Sequence, residues 1–175
     1  SRIQMAEGDG SMKKTFRQFY DLSIKLAQEV QMQNYLASSK PNTYHSMKEE
    51  VSIKHIFDEI SSSCKSNPLV YRKTITITKE LPDLLVSLNI VTLLRVMNNM
   101  VINALEATEK GEEIKIDYED FGKRFRIKVW NLEAIPEMVQ KRIFQRNFST
   151  KKGEGRGLGT YSMKLLGEKF MKGKV

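Results

Sequence analysis

Asn99, Asn103 and Glu106 follow one another about a turn apart in the stretch Leu94 to Thr108, LRVMNNMVINALEAT. At a helical 100° per residue they share one narrow face, with Ile90, Leu94, Met97, Val101, Ala104 and Leu105 on the other side. Asparagine costs helix propensity relative to Ala or Leu, so two of them one turn apart point to a task. Amide oxygens and a carboxylate in that arrangement can ligate Mg²⁺, which takes only one or two protein ligands when phosphates complete its shell. The plain alternative is a pair of solvated amides on an exposed helix.

A second chemical stretch runs from Lys151 to Gly159, with glycines at 153, 155, 157 and 159. Glycines let backbone N–H groups approach a phosphate closely, and Lys151, Lys152 and Arg156 add positive charge. The net charge of +8 is concentrated there: Lys141 to Val175 holds ten basic and two acidic residues, whereas the first 140 residues hold nineteen of each sign. An anionic ligand is therefore expected near the C-terminal end. A flexible surface loop is the alternative for the glycines. Nucleic acid is a further possible anion, but zinc-ligand spacing, an RNP-like segment and an Arg-rich recognition helix are all missing.

The single cysteine, Cys64, rules out an internal disulfide framework and fits a reducing compartment. Neither histidine, His45 or His55, has a recognisable catalytic setting, and His55 is expected on the surface. The longest apolar run, Leu84 to Ile102, is interrupted by Ser87, Asn89, Thr92, Arg95, Asn98 and Asn99, too often for a membrane span. A cytoplasmic segment without membrane contact is expected, from a parent that can itself be membrane-anchored.

The elements that must position these residues follow in order. Lys13 to Ser39 has Phe16, Phe19, Tyr20, Leu26, Ala27 and Val30 on one side of a long helix, an apolar face suited to self-association. Ser38 to Asn42 ends it as a hinge, so residues 1–40 and 41–175 are read as two domains. Val51 to Ser66 is expected as a helix, and Thr74 to Thr78, alternating and β-branched, as a strand. Asn89 to Thr108 is the helix described first. Two strands follow, with Ile114, Ile116 and Tyr118 on one and Phe125, Ile127 and Val129 on the other, joined by a turn at Glu119 to Lys123. A short helix from Glu137 to Phe144, the glycine loop and a last helix from Thr160 to Phe170 complete the chain. This order suggests an α+β fold: a two-layer sandwich of one mixed, mostly antiparallel sheet with helices on one face.

Four pieces occur in sequence order: Asn99-x-x-x-Asn103; Val129-x-Asn131 with Ile135-Pro136; Ile143-Phe144-x-x-x-Phe148-Ser149-Thr150-Lys151; and Gly153-x-Gly155-x-Gly157-Leu158-Gly159-Thr160. Together they resemble the N, G1, F and G2 boxes of the GHKL superfamily, and within it the ATP-binding catalytic domain of bacterial sensor histidine kinases. The resemblance covers about residues 49–175 and implies the Bergerat ATP-binding fold, with ATP and Mg²⁺ as cofactors. The helix Lys13 to Ser39 is similar to the second helix of the kinase dimerisation and phosphotransfer hairpin. That similarity implies a homodimer in the full-length protein and a cognate response regulator as partner.

Residue by residue, the resemblance implies that Asn103 holds Mg²⁺, with Asn99, Glu106 and Ala107 beside it. Asn131 would face adenine and Ile135 would line its pocket. Phe148, Ser149, Thr150 and Lys151, then Gly155, Arg156, Gly157, Leu158, Gly159 and Thr160, would form the lid over the triphosphate, with Phe144 and Phe148 anchoring it. By the same resemblance, Asn99 and Asn103 would be the catalytic pair. Hydrolytic members of the superfamily carry a glutamate where this chain has Asn99, a poor general base, which implies phosphoryl transfer rather than hydrolysis.

The G1 segment departs from the family's Asp-Asn-Gly-x-Gly: here it is Asn131-Leu132-Glu133-Ala134, without either glycine. An amide oxygen can still accept a hydrogen bond from adenine, but without charge assistance. No His-Asp/Glu-x-x-Asn acceptor box occurs, so the phosphorylated histidine is expected on a helix before residue 1. Further strands are expected after Val175. The competing possibility is a nucleotide-binding regulator or pseudokinase of the same superfamily without phosphotransfer.

Overall fold

The computed structural model describes Val30 and residues 48–65, 67–78, 80–150 and 157–175. The chain divides into two compact units, Ser1–His45 and Ser46–Val175. The expected helix from Lys13 to Ser39, the hinge, the 40/41 boundary and His45 lie outside the described residues, apart from Val30, which is helical.

In the second unit the order is β1 (Glu49–Ser52), α1 (Ile53–Lys65), a 3₁₀ turn (Pro68–Val70), β2 (Thr74–Ile77), β3 (Leu85–Leu88), α2 (Ile90–Ala107), β4 (Glu113–Asp120), β5 (Phe125–Trp130), α3 (Glu137–Gln140) and α4 (Gly159–Lys164). A wider π-type helix, Leu165–Phe170, continues α4.

Strands β2, β4 and β5 form one sheet, with β2 parallel to β4 and β4 antiparallel to β5. The pairing is mixed, as expected. The expectation of a single sheet needs correction: β1 and β3 pair antiparallel as a separate two-stranded sheet, Glu49 opposite Leu88 and Ser52 opposite Leu85. Neither of these four-residue strands was expected. The helix expected from Val51 starts two residues later: Val51 and Ser52 belong to β1, and α1 begins at Ile53.

Both long helices bury the stripe that their spacing predicts. From α1, Ile53, Ile56, Phe57, Ile60 and Cys64 enter the core; His55 is exposed as expected. From α2, Ile90, Leu93, Val96, Met97, Val101, Ala104 and Leu105 do so, with Leu94 half-buried. They meet Ile114 and Ile116 of β4, while the alternating Ile75, Ile77, Tyr118, Phe125, Ile127 and Val129 pack against the same cluster. Lys115, Arg126 and Lys128, one residue out of phase, point to solvent. The two-layer α+β sandwich therefore holds.

Local chemistry fixes the ends of α2. Asn89 caps the start, its Oδ1 accepting from the Thr92 amide at 2.7 Å, a bond worth about 1 kcal/mol at such positions. At the far end Thr108, buried, donates its hydroxyl to the Ala104 carbonyl at 2.7 Å, and Lys73 Nζ donates to the Leu105 carbonyl at 2.6 Å. Helical backbone stops at Ala107, before the Lys110-Gly111 pair expected to close it. The helix that carries the asparagines is thus pinned at both ends.

Candidate nucleotide site

The exposed edge of α2 begins at Asn98. Its Oδ1 accepts from the Ser63 hydroxyl at 2.8 Å, which ties α1 to α2 beside the core. Asn99, next along, points the other way round the helix and meets α4. Its Nδ2 donates to Ser162 Oγ at 3.1 Å, and Ser162 Oγ donates to the Gly159 carbonyl at 2.7 Å. A Cβ placed on Gly159 would lie 3.7 Å from Asn99 Oδ1. The structure therefore brings Asn99 to Gly159, where α4 begins.

Asn103, one turn on, is half-buried, and its side chain makes no hydrogen bond among the described residues. An amide oxygen on a rigid helix is a donor that could serve a hard cation. Among the described residues there is no cluster of three or more His, Cys, Asp or Glu side chains able to cage a metal. That donor set fits an ion held mainly by phosphate and water with one amide ligand. Glu106 and Ala107, at the end of the helix, are exposed.

Asn131 follows β5 and is half-buried. Its Nδ2 donates to the Glu133 carbonyl at 3.2 Å, closing the short loop that in the G1 segment lacks glycine. Because a carbonyl accepts only, the amide must present its nitrogen there, which turns its oxygen outward as an acceptor. Ile135 is 47% exposed; its carbonyl accepts from Gln140 Nε2 at 2.7 Å, so α3 folds back on the segment that precedes it. No described hydrogen bond joins Asn131 or Ile135 to the α2 stripe.

The helix expected over Glu137 to Phe144 is regular only to Gln140; turns carry the chain on to Asn147. Cations pack on the aromatic rings that follow: the Arg142 guanidinium lies 4.4 Å from the centroid of Phe148, and Lys164 Nζ 5.4 Å from that of Phe144. Both phenylalanines are half-buried, whereas Ser149 and Thr150 are exposed. The base of the lid closes at Gly157, whose carbonyl accepts from the Asn147 amide at 3.2 Å. Lys151, Gly155 and Arg156 lie outside the described residues. Leu158, Gly159 and Thr160 are half-buried where α4 begins.

A cleft of ≈ 230 Å³ opens on the flank of the lid base, lined by Phe144, Tyr161, Lys164, Leu165, Glu168 and Lys169. None of Asn99, Asn103, Glu106 or Asn131 lines it, so it is distinct from the site those residues outline.

Residues 89–175, from the cap of α2 onward, match the family described as histidine kinase-, DNA gyrase B-, and HSP90-like ATPase. The matched segment starts at Asn89 and holds all four motif pieces in order. Residues 89–175 form a domain of that ATPase family.

Among solved structures, the nucleotide-free catalytic domain of histidine kinase ThkA is similar to this ATPase domain at 29% identity and a TM-score of 0.61, covering 70% of this chain and 80% of that one. ThkA in complex with the response regulator protein TrrA matches at 24% identity and TM-score 0.57, over 75% of this chain and 38% of that one. Full-length ShkA in complex with AMPPNP matches at 18% identity and TM-score 0.59, over 84% and 30%. The last two show the common fold. No curated protein matches significantly in sequence. Within its family, the ATPase domain is of the sensor histidine kinase catalytic type.

Ser162 was not foreseen in the sequence. It lies on the apolar side of the last helix, one turn before Leu166, and both are buried. A buried hydroxyl on an apolar stripe is the signal that could have marked it, because such a group needs a partner.

Proposed function

We propose that this domain binds ATP with Mg²⁺ and transfers the γ-phosphoryl group to a histidine outside residues 1–175. The observation that carries this is the run of hydrogen bonds from Asn99 through Ser162 to the Gly159 carbonyl. It joins the helix that carries Asn99 and Asn103 to Gly159, and this supports a metal-and-phosphate site between them.

Asn103 holds Mg²⁺ through its amide oxygen, with Asn99 and Glu106 beside it; the ion, when bound, neutralises charge on the phosphate oxygens. Asn131 accepts from the adenine amino group, and Ile135 gives the base an apolar wall. The segment from Phe148 to Thr160 covers the triphosphate, its backbone amides and its cations at 151 and 156 meeting phosphate oxygens. Asn99 in place of a glutamate leaves water without a general base, and this favours transfer over hydrolysis.

A response regulator is the phosphoryl recipient that this function calls for, and the ThkA–TrrA complex is consistent with it. Self-association through Lys13 to Ser39 rests on the apolar spacing in that sequence. The described residues include no helix long and apolar enough to cross a membrane.

The test is calorimetric titration of the chain with a non-hydrolysable ATP analogue, with and without Mg²⁺. Binding that strengthens with Mg²⁺ supports the proposal. A folded chain that binds neither way overturns it.

A further inference from the structure

We infer that Ser162 is a positioning residue that sets the side-chain amide of Asn99 with its oxygen toward the phosphate side of the site. The inference deepens the nucleotide reading above and rests on it.

A serine hydroxyl has one proton to donate and two lone pairs. Ser162 Oγ spends that proton on the Gly159 carbonyl at 2.7 Å, an acceptor that can make no other kind of bond. Toward Asn99 the hydroxyl can therefore only accept. The amide must offer Nδ2, which it does at 3.1 Å, and Oδ1 is turned away from Ser162. Next to Oδ1 is the bare backbone of Gly159, where an added Cβ would stand 3.7 Å off. That backbone opens the first turn of α4, directly after the glycine-rich segment.

Ser162 is 2% exposed and both bonds are partly buried, so water has little access to the hydroxyl itself. Without the hydroxyl, the two ends of the Asn99 amide lose what distinguishes them, and the group can flip. The inverted amide would present N–H donors to whatever ligand Asn103 helps to hold, which is wrong for a cation and changes the contacts to phosphate. The same bonds run between α2 and the first turn of α4, so the orientation of Asn99 and the placement of Gly159 are fixed together.

The full chain, its Ser162→Ala, Ser162→Cys and Asn99→Ala variants and the Ser162→Ala/Asn99→Ala double variant are titrated with a non-hydrolysable ATP analogue, with and without Mg²⁺. Ser162→Ala is expected to weaken Mg²⁺-dependent binding about three- to tenfold, the loss of one hydrogen-bonded arrangement. Ser162→Cys fills the same space but accepts poorly, so it should behave like Ser162→Ala. In the Asn99→Ala background Ser162→Ala should change nothing further. The Asn99 side-chain amide protons, read by ¹⁵N-correlated NMR without nucleotide, should be protected from exchange in the parent chain and lose protection in Ser162→Ala. Wild-type affinity in Ser162→Cys, additive losses in the double variant, or an unchanged amide signal would each overturn the inference. If the folded parent chain binds no nucleotide, the functional proposal fails, and the amide signal alone then decides how Asn99 is held.

Discussion

Gly157 sits against Asn147 with no room for a side chain. A Cβ on Gly157 would stand 2.6 Å from the Asn147 carbonyl carbon and 2.8 Å from the Phe148 nitrogen and oxygen. Its φ of +91° is also one that only glycine adopts without strain. Asn147 itself is left-handed at +62°, and its amide donates to the Gly157 carbonyl. Asn147 and Gly157, which flank the segment proposed as a lid, are therefore joined backbone to backbone.

Gly157→Ala is expected to break this junction. The positive φ alone costs about 1–2 kcal/mol, and the contact with backbone adds to it. Because the clash is at the base of the lid rather than in the core, the effect should appear as faster amide exchange at 147–149 and weaker ATP binding. A Gly157→Ala chain with unaltered exchange there would mean that the lid base is not held this way.

Asn103→Ala should remove the Mg²⁺ dependence of ATP binding while leaving metal-free binding near its original level. The helix itself gains propensity from the change, so stability should be unchanged or slightly higher. Titrations at fixed nucleotide with increasing Mg²⁺ check it; a variant that still responds to the metal would move the ligand elsewhere on the face.

Asn131→Ala should weaken ATP and ADP equally, because the residue is assigned to the base and not to the phosphates. One neutral hydrogen bond corresponds to about a three- to tenfold loss. An effect on ATP but not ADP would place Asn131 at the other end of the nucleotide.

Leu105→Ala should cost about 2–5 kcal/mol of stability in urea unfolding, the range for deleting a large buried aliphatic side chain. Leu105 is fully buried between the helices and β4, and its carbonyl also receives the Lys73 ammonium. A loss under 1 kcal/mol would indicate that the core collapses into the gap.

Cys64 is buried, and that burial pushes its thiol above the ordinary range. Less thiolate at a given pH means slow alkylation of the native chain, with normal reactivity in denaturant. The sign for stability follows: the protonated thiol is favoured in the folded state, so its contribution is complete below the unfolded thiol pKa and is lost as pH rises through the folded one. Iodoacetamide labelling from neutral to alkaline pH, with and without urea, measures both. Equal rates in the two states would contradict the burial.

Much of this was legible in the sequence, and the reason differs from place to place. The apolar stripes of α1 and α2 repeat over several turns, and β4 and β5 alternate over six residues or more, so periodicity identifies them. β1 and β3 have four residues each and bury one apiece, Val51 and Leu88, too little for a pattern. Their existence depends on pairing across more than thirty residues, which no local signal carries. The stripe of Asn99, Asn103 and Glu106 could be read from spacing; that Asn99 has a fixed partner could not, because Ser162 lies in a different element. The G1 segment shows the opposite. It lacks the family's glycines, and the Asn131 side chain itself closes the loop onto Glu133.

The parallel pairing of β2 with β4 has a consequence for how the molecule comes into being. Two parallel neighbours need a crossover between them, and α2 lies on that connection. The asparagine-bearing helix cannot be docked until strands some forty residues apart have found each other, a slow kind of contact to make. The asparagine-bearing helix and the sheet are thus parts of one compact unit, Ser46–Val175. Any ligand selective for the native form then raises the melting temperature of the whole sandwich rather than of its rim.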